Sequence, residues 1–334
     1  MTNKFGTTDD WEDGDTLFAA DLLDTFINAQ YFDSIAAPAQ VKAMVAHTTS
    51  TYSCYVTGTI YQSTDSGLTW TSKNTDIDTD SIMRVCRGDK THAVICEFSA
   101  SAGEVAFTDD SGSTWTTKTS TAFGTKVHDV AFVTATLIVV GGNDGGGGNH
   151  IVFSTDDGGT WTDASTQPSA AIYCVDMFDA NTGYAVDSSG NIWKTTNAAV
   201  DWTDTTHNIT ETATVGMSIR ALSATTAIIS AGSGIEYYDN GAGTSTRRMK
   251  TDQNTTLGIA VVGSSYFVAT GANDASEAVT LWRSDNSGTN WEGRLIDVKQ
   301  FNQNDTEKTG ISEFSTTHIL LTTNSGFAFK IPGK

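Results

Sequence analysis

An all-β chain built from repeated four-stranded antiparallel units is what the sequence predicts, on three observations. A phrase of the form Ser/Thr-x-Asp-x-Gly-x-Thr-Trp recurs. Short apolar runs rich in Val, Ile, Tyr and Phe precede the copies. The copies stand between 41 and 47 residues apart, the spacing of a repeat architecture.

The phrase is clearest as Ser63-Thr64-Asp65-Ser66-Gly67-Leu68-Thr69-Trp70. It returns as Thr108-Asp109-Asp110-Ser111-Gly112-Ser113-Thr114-Trp115 and as Ser154-Thr155-Asp156-Asp157-Gly158-Gly159-Thr160-Trp161. Three fainter copies follow. The fourth ends Asn197-Ala198-Ala199-Val200-Asp201-Trp202 and keeps the Trp, with Asn for Asp. The fifth, around Asp239-Asn240-Gly241, keeps the Asp but loses the Trp, and the sixth keeps Ser284, Gly288 and Trp291.

Ahead of the phrases lie β-branched or aromatic pairs such as Ile60-Tyr61, Ile151-Val152 and Ile192-Trp193. Before those come apolar hairpins, for example Ile172 to Val186 and Ile219 to Ile229. Such runs are too short for helices and read as strands. Each unit is then two strands (A and B), a third (C) leading into the phrase, and a fourth (D) starting near the Trp. Four antiparallel strands per unit make a propeller blade. Units begin near Val41, Ile82, Val127, Ile172, Ile219, Leu257 and Gly310, which gives seven blades, with six as the alternative. The last unit has no fourth strand of its own, and an open edge would expose a row of unpaired backbone groups. A strand around Tyr31 to Ala36 is the expected repair, so residues 31–334 form the propeller and residues 1–30 lie outside it.

The repeat resembles the Asp-box, or BNR repeat, of sialidases, sortilin-type receptors and related propellers, over roughly residues 40 to 331. The resemblance implies a turn between strands C and D. In it Asp65, Asp110, Asp156 and Asp239 accept backbone N–H bonds. Gly67, Gly112, Gly158 and Gly288 take a conformation closed to residues with a Cβ. Trp70, Trp115, Trp161, Trp202 and Trp291 bury their rings beside their own turns. These roles are structural. In that family the boxes lie opposite the usual active site, so these carboxylates are expected as neither catalytic acids nor calcium ligands.

The 334 residues suffice for one propeller. Lys plus Arg number 19 against 39 Asp plus Glu, and the formal charge is −20. Such a surface repels nucleic acid and anionic membrane. No run of 18 apolar residues offers a transmembrane helix. Met1 to Asp15 is acidic without an apolar h-region, so no secretory signal is expected. Cys54, Cys86, Cys96 and Cys174 have no metal-ligand spacing and are expected as buried thiols, although Cys86 and Cys96 fall on adjoining strands and could pair.

The first forty residues do not share the repeat. Asp15 or Thr16 can cap a helix in which Phe18, Leu22 and Phe26 form an apolar stripe that Leu23 and Ile27 widen. Such a helix must pack on the propeller or on a partner. The segment resembles an N-terminal signature of tailed-phage virion proteins through Gly14, Asp15, Leu17, Ala19, Asp21, Leu22 and Phe26; the Asn that the signature carries is Leu23 here. That resemblance implies attachment to a tail, fibre or head, often in multiple copies. Leu17, Phe18, Leu22 and Phe26 are the expected attachment residues, and the virion surface is the expected location.

Enzyme chemistry finds little support. Sialidases need three arginines on a carboxylate, and the Phe/Tyr-Arg-Ile-Pro motif of that family is absent. The two carboxylates of other glycosidases cannot be picked out among 39 acidic residues. The six histidines are scattered, and His128-Asp129 reads as a strand-end pair. The run Gly141 to His150 has no Lys-Ser/Thr after it and reads as a long B–C loop, not a phosphate cradle. No catalytic residue, cofactor or metal is expected. Binding is expected on the face carrying the B–C loops and D–A links, where Asn, Asp, Thr and Gly suit hydrogen bonds to a host glycan or protein. The leading expectation is a non-enzymatic virion protein. The alternatives are a cellular protein-binding scaffold like the photosystem II assembly factors, and a glycoside hydrolase.

Overall fold

The computed structural model describes residues 30–32, 41–74, 82–85, 91–98, 103–119, 123–143, 150–210, 217–250, 255–271, 279–296, 311–322 and 328–332, except positions 49, 57, 66, 125, 135, 233 and 316–317. The expected N-terminal helix, with Leu17, Phe18, Leu22 and Phe26, lies outside the described residues, as does Cys86 with its possible pairing.

The described chain is all-β. A three-residue strand, β1 (Gln30–Phe32), comes first. Six antiparallel sheets of four consecutive strands follow. The first holds β2 (Val41–Ala46), β3 (Tyr52–Val56), β4 (Thr59–Ser63) and β5 (Thr71–Asn74). The second holds β6 (Ile82–Val85), β7 (Ala93–Phe98), β8 (Glu104–Thr108) and β9 (Thr116–Thr119). The third holds β10 (Lys126–Phe132), β11 (Ile138–Asn143), β12 (Ile151–Ser154) and β13 (Thr162–Asp163). The fourth holds β14 (Ile172–Met177), β15 (Gly183–Asp187), β16 (Asn191–Thr195) and β17 (Thr203–Asn208). The fifth holds β18 (Ser218–Ala221), β19 (Thr226–Ala231), β20 (Gly234–Asp239) and β21 (Thr244–Lys250). The sixth holds β22 (Thr255–Val262), β23 (Ser265–Gly271), β24 (Val279–Ser284) and β25 (Glu292–Ile296).

A seventh four-stranded sheet is built from both ends of the described chain. It joins β26 (Ile311–Ser315), β27 (His318–Thr322) and β28 (Ala328–Pro332) to β1, with Tyr31 opposite Phe329. The first strands of all seven sheets touch in a closed cycle, β2 to β6 to β10 to β14 to β18 to β22 to β26 and back to β2. The molecule is a β-propeller of four-stranded antiparallel blades.

Burial follows from that arrangement. Inner and middle strands are covered on both faces, as in β12 and β15, where every residue is buried. Outer strands are polar and open, as in β17. Each described apolar cluster is shared between neighbouring blades. Trp115 packs with Val45, Tyr55 and Ile60 of the preceding blade. Trp202 packs with Val139, Ile151 and Phe153, and Trp291 with Ile228 and Ile235. The rings were expected beside their own turns. Three do donate Nε1–H there: Trp70 to the Gly67 carbonyl (3.0 Å), Trp202 to Ala199 (3.1 Å) and Trp291 to Gly288 (3.0 Å). The rings also act as wedges between blades, which the repeat alone did not disclose.

The recurring turn is made by its own side chains. Ser63 Oγ–H donates to Asp65 Oδ1 (2.8 Å) and accepts the Gly67 N–H (2.8 Å). Asp65 then takes the Thr69 N–H (2.9 Å) and hydroxyl (2.6 Å). The same bonds recur around Asp110 and Asp156. In the sixth copy Asn286 stands for the Asp and accepts the Asn290 N–H (2.8 Å). In the fourth, Asn197 accepts the Asp201 N–H (2.9 Å) and donates Nδ2–H to Asp201 Oδ2 (2.8 Å). The fourth copy therefore keeps a turn that its sequence hides. The fifth does not. Asp239 accepts the Gly241 and Ala242 N–H groups, nearer in sequence than the partners of the other copies, and closes a different hairpin.

Gly112 shows why the turn wants glycine. Its φ is +78°, and a Cβ would meet Ser53 Oγ and, at 2.8 Å, His47 Nε2 of the preceding blade. At Gly288 (φ +77°) the nearest obstacle is the Tyr266 ring at 3.3 Å.

Three outcomes are expected. Gly112→Ala lowers unfolding stability by about 2–4 kcal/mol, from the left-handed backbone and the overlap together. Gly288→Ala costs about 1–2 kcal/mol, chiefly the backbone term, and urea titration ranks the two. Trp202→Ala, which empties a fully buried wedge, costs about 3–5 kcal/mol by the same titration.

The turns also set an acid limit. The Thr69 hydroxyl and N–H, with Ser63, hold the Asp65 carboxyl down at about 2, against an ordinary 3.8. Burial pushes the Asp110 carboxyl up, but the Thr114 N–H and hydroxyl outweigh it and the net shift is downward. The Thr160 N–H and hydroxyl hold Asp156 down. A carboxyl lowered on folding stabilises the fold fully above its unfolded value and loses that contribution as pH falls through its folded one. Stability should therefore decline between about pH 4 and pH 2. The triple variant Asp65→Asn, Asp110→Asn, Asp156→Asn should melt below the parent at pH 7, having lost that contribution, and approach it near pH 2, with a shallower decline between. A melting series from pH 7 to pH 2 checks both.

Candidate functional site

Antiparallel order puts the A–B and C–D turns at one end of every blade and the B–C turns and D–A links at the other. Asp65, Gly67, Trp70, Asp110, Gly112, Trp115, Asp156, Gly158, Trp161, Trp202, Asp239, Gly288 and Trp291 all fall at or beside C–D turns. They are spread over six blades and converge on no common point, and the carboxylates of Asp65, Asp110 and Asp156 are filled by their own turns.

Parts of the opposite face are described, mainly on the third to fifth blades. At four blades the innermost strand starts with a bulge, after Val41, Val127, Ile172 and Thr256. In the third and fourth blades the extra residues are His128 and Tyr173, whose rings lie 5.2 Å apart across the blade boundary. Bulges re-aim side chains at sheet edges, and here they turn two rings toward one blade boundary. His128-Asp129 is accordingly more than a strand-end pair. Asp129 Oδ2 accepts the Val175 N–H of the next blade (2.9 Å), and Asp176 repeats the device on the Ala221 N–H (2.8 Å).

Three further polar knots fix the rim of this face. Asp187, fully buried in the B–C turn of the fourth blade, accepts the Ser189 and Asn191 N–H groups, Asn191 Nδ2–H and Trp193 Nε1–H, all within 2.8–3.0 Å. Glu236, also fully buried, accepts the Thr210 N–H and hydroxyl (2.6 Å each) and the Ser245 hydroxyl (2.8 Å), tying a D–A link to the fifth blade. Gln167 clips β12 by accepting the His150 and Ile151 N–H groups and donating to the Ile151 carbonyl (2.7 Å). A buried carboxylate survives only when its oxygens are satisfied. Both are, so each acts as a fastener.

Sequence reasoning took Asp129 only as half of a strand-end pair and passed over Asp176, Asp187 and Glu236. The one available signal was an acidic residue inside an apolar strand, as in Cys174-Val175-Asp176-Met177. Of the loops expected to bind, residues 75–81, 99–102, 144–149, 211–216, 272–278 and 297–310 lie outside the described residues. Among the described residues no group of three or more His, Cys, Asp or Glu could hold a metal ion. Cys54 and Cys174 are buried and outside any disulfide, and burial pushes the Cys54 thiol far up, away from reactivity.

No protein-family model matches the chain, and no curated protein matches it. Solved structures do. A YCF48 bound to a D1 peptide superposes with a TM-score of 0.65 at 15% identity, covering 92% of this chain and 97% of that one. YCF48 from Cyanidioschyzon merolae gives 0.61 at 14%, covering 91% and 98%. The GH74 enzyme of Niastella koreensis gives 0.65 at 16%, covering 88% of this chain but 52% of its own. At such identities the likeness is one of fold, and the fold is the β-propeller.

Proposed function

We propose that this chain is a non-enzymatic interaction propeller whose B–C and D–A face takes a polypeptide segment of a partner. The observation that carries the reading is coverage. The chain corresponds to nearly all of a propeller seen with a peptide, and to about half of the GH74 chain. The architecture agrees with it, because buried fasteners such as Asp187 and Glu236 brace the rim while long polar loops are left to make contacts.

Residues 1–29 supply the attachment in this reading. The signature through Gly14, Asp15, Leu17, Ala19, Asp21, Leu22 and Phe26 favours a virus particle as the larger assembly, with several copies displayed. Host glycan or protein would then meet the loop face.

Binding, turnover and truncation measurements test these proposals. Screening the immobilised chain against a peptide library should yield binders of about micromolar affinity that compete with one another for the loop face. Turnover of fluorogenic glycosides, lost on replacing a single loop-face Asp, would instead make the protein an enzyme. Removing residues 1–29 should leave the melting temperature nearly unchanged, since β1 is retained, yet abolish incorporation into particles. Removing residues 1–32 should also lower the melting temperature, because it deletes the strand opposite β28.

A further inference from the structure

A cleft of about 420 Å³ opens between the fourth and fifth blades on the C–D face, away from the loops just discussed. Its volume falls within the range of small-ligand sites, about 300–1,000 Å³. We propose that it binds a neutral saccharide.

The wall is held stiffly. Thr206 sits in β17 at φ +64°, a left-handed conformation that a β-branched residue rarely adopts. Such strain persists only where neighbours over-determine it. They do here. Asp204 Oδ1 accepts the Thr206 N–H (2.7 Å), and the Thr205 hydroxyl donates to the Ile192 carbonyl (2.7 Å). The His207 ring nitrogens lie 2.7 Å from the Thr205 carbonyl and 2.8 Å from the Gly243 carbonyl of the next blade. The resulting bulge in β17 spans the boundary between the two blades.

The lining then selects the ligand. All eight lining residues are polar, which disfavours an apolar ligand. Lys194 stands beside its cross-strand partner Thr203. Its ammonium donates to the Ala224 carbonyl (2.9 Å) and lies 5.6 Å from the centre of the Tyr184 ring. That fixed charge opposes a cation. Asp201 has less to offer one, since its oxygens already receive Thr166 Oγ1–H (3.1 Å) and Asn197 Nδ2–H (2.8 Å). An anion meets Asp204 and Asp201 across the cleft and a chain of net charge −20. A neutral molecule with neighbouring hydroxyls fits better. Asp204 Oδ2, which receives no hydrogen bond among the described residues, can accept from one hydroxyl. The remaining protons of Lys194 and the Thr203 hydroxyl can serve the next.

The test is saturation-transfer NMR on the full chain. The probes are methyl α-mannoside, methyl β-galactoside, N-acetylglucosamine and maltose, each at about 10 mM. Transfer to at least one sugar is expected. It should weaken at least about tenfold in Lys194→Met and in Thr203→Tyr, which fills the cleft from an exposed strand position, with melting temperatures unchanged. Absence of transfer to all four sugars, or transfer that survives in either variant, overturns the proposal. Because the cleft and the loop face are at opposite ends of the blades, failure here leaves the peptide-binding reading to its own test.

Discussion

The apolar interface between neighbouring blades is the contact on which the rest of the structure depends. No single central core exists among the described residues. Each cluster is half one blade and half the next, as where Val139 and Phe153 of the third blade meet Trp202 and Val175 of the fourth. A four-stranded sheet alone exposes two apolar faces, and it is stable only when both are covered. Every blade therefore needs two neighbours, and a row of blades satisfies all its members only by closing on itself. β1 completes the outer edge of the blade that carries the C-terminal strands, so that blade has its full width to offer its neighbours.

The C–D turn serves that interface. It must reverse the chain within a few residues while placing a Trp against the preceding blade. A side chain that gathers the turn's N–H groups does the first part, and either Asp or Asn suffices, as Asn197 and Asn286 show. The left-handed positions are the dearer requirement. Ser111, Asp157, Ala198 and Ser287 take the first such position in their copies, and the second is glycine at residues 67, 112, 158 and 288 but Ala199 (φ +67°) in the fourth copy. Ala199 is fully buried in the cluster around Trp202, so its methyl group offsets some of the backbone strain by packing.

Much of this was legible because the signals are local. Alternation and β-branching located the strands, and the expected unit starts at Val41, Ile82 and Ile172 coincide with β2, β6 and β14. The phrase located the C–D turns. What could not be read was anything joining one blade to the next. The Asp129–Val175 and Asp176–Ala221 bonds span about 45 residues, one full repeat, and depend on how two sheets lie face to face. Nor does a consensus reveal that Asn-Ala-Ala can keep a turn written elsewhere as Asp-x-Gly. The fourth copy looks decayed and keeps the bonds, while the fifth retains Asp239 and has changed its turn.

That fifth copy also accounts for where the cleft lies. In the recurring pattern the Trp of each blade fills the boundary with the blade before it. The fifth copy has Thr244 at that position, so the boundary between the fourth and fifth blades has no such wedge. Tyr184 and Tyr238 pack edge to face there, 5.9 Å apart, within the buried cluster of the boundary. Two tyrosines do not reproduce an indole reaching the C–D rim, and the rim is where Lys194, Asp204 and Asn240 border open space. His207 then bridges what the missing ring would have joined, from β17 to the Gly243 carbonyl. Loss of one repeat feature thus leaves a polar recess at this boundary, and it is in such a departure from the repeat that an individual function of this chain should be sought.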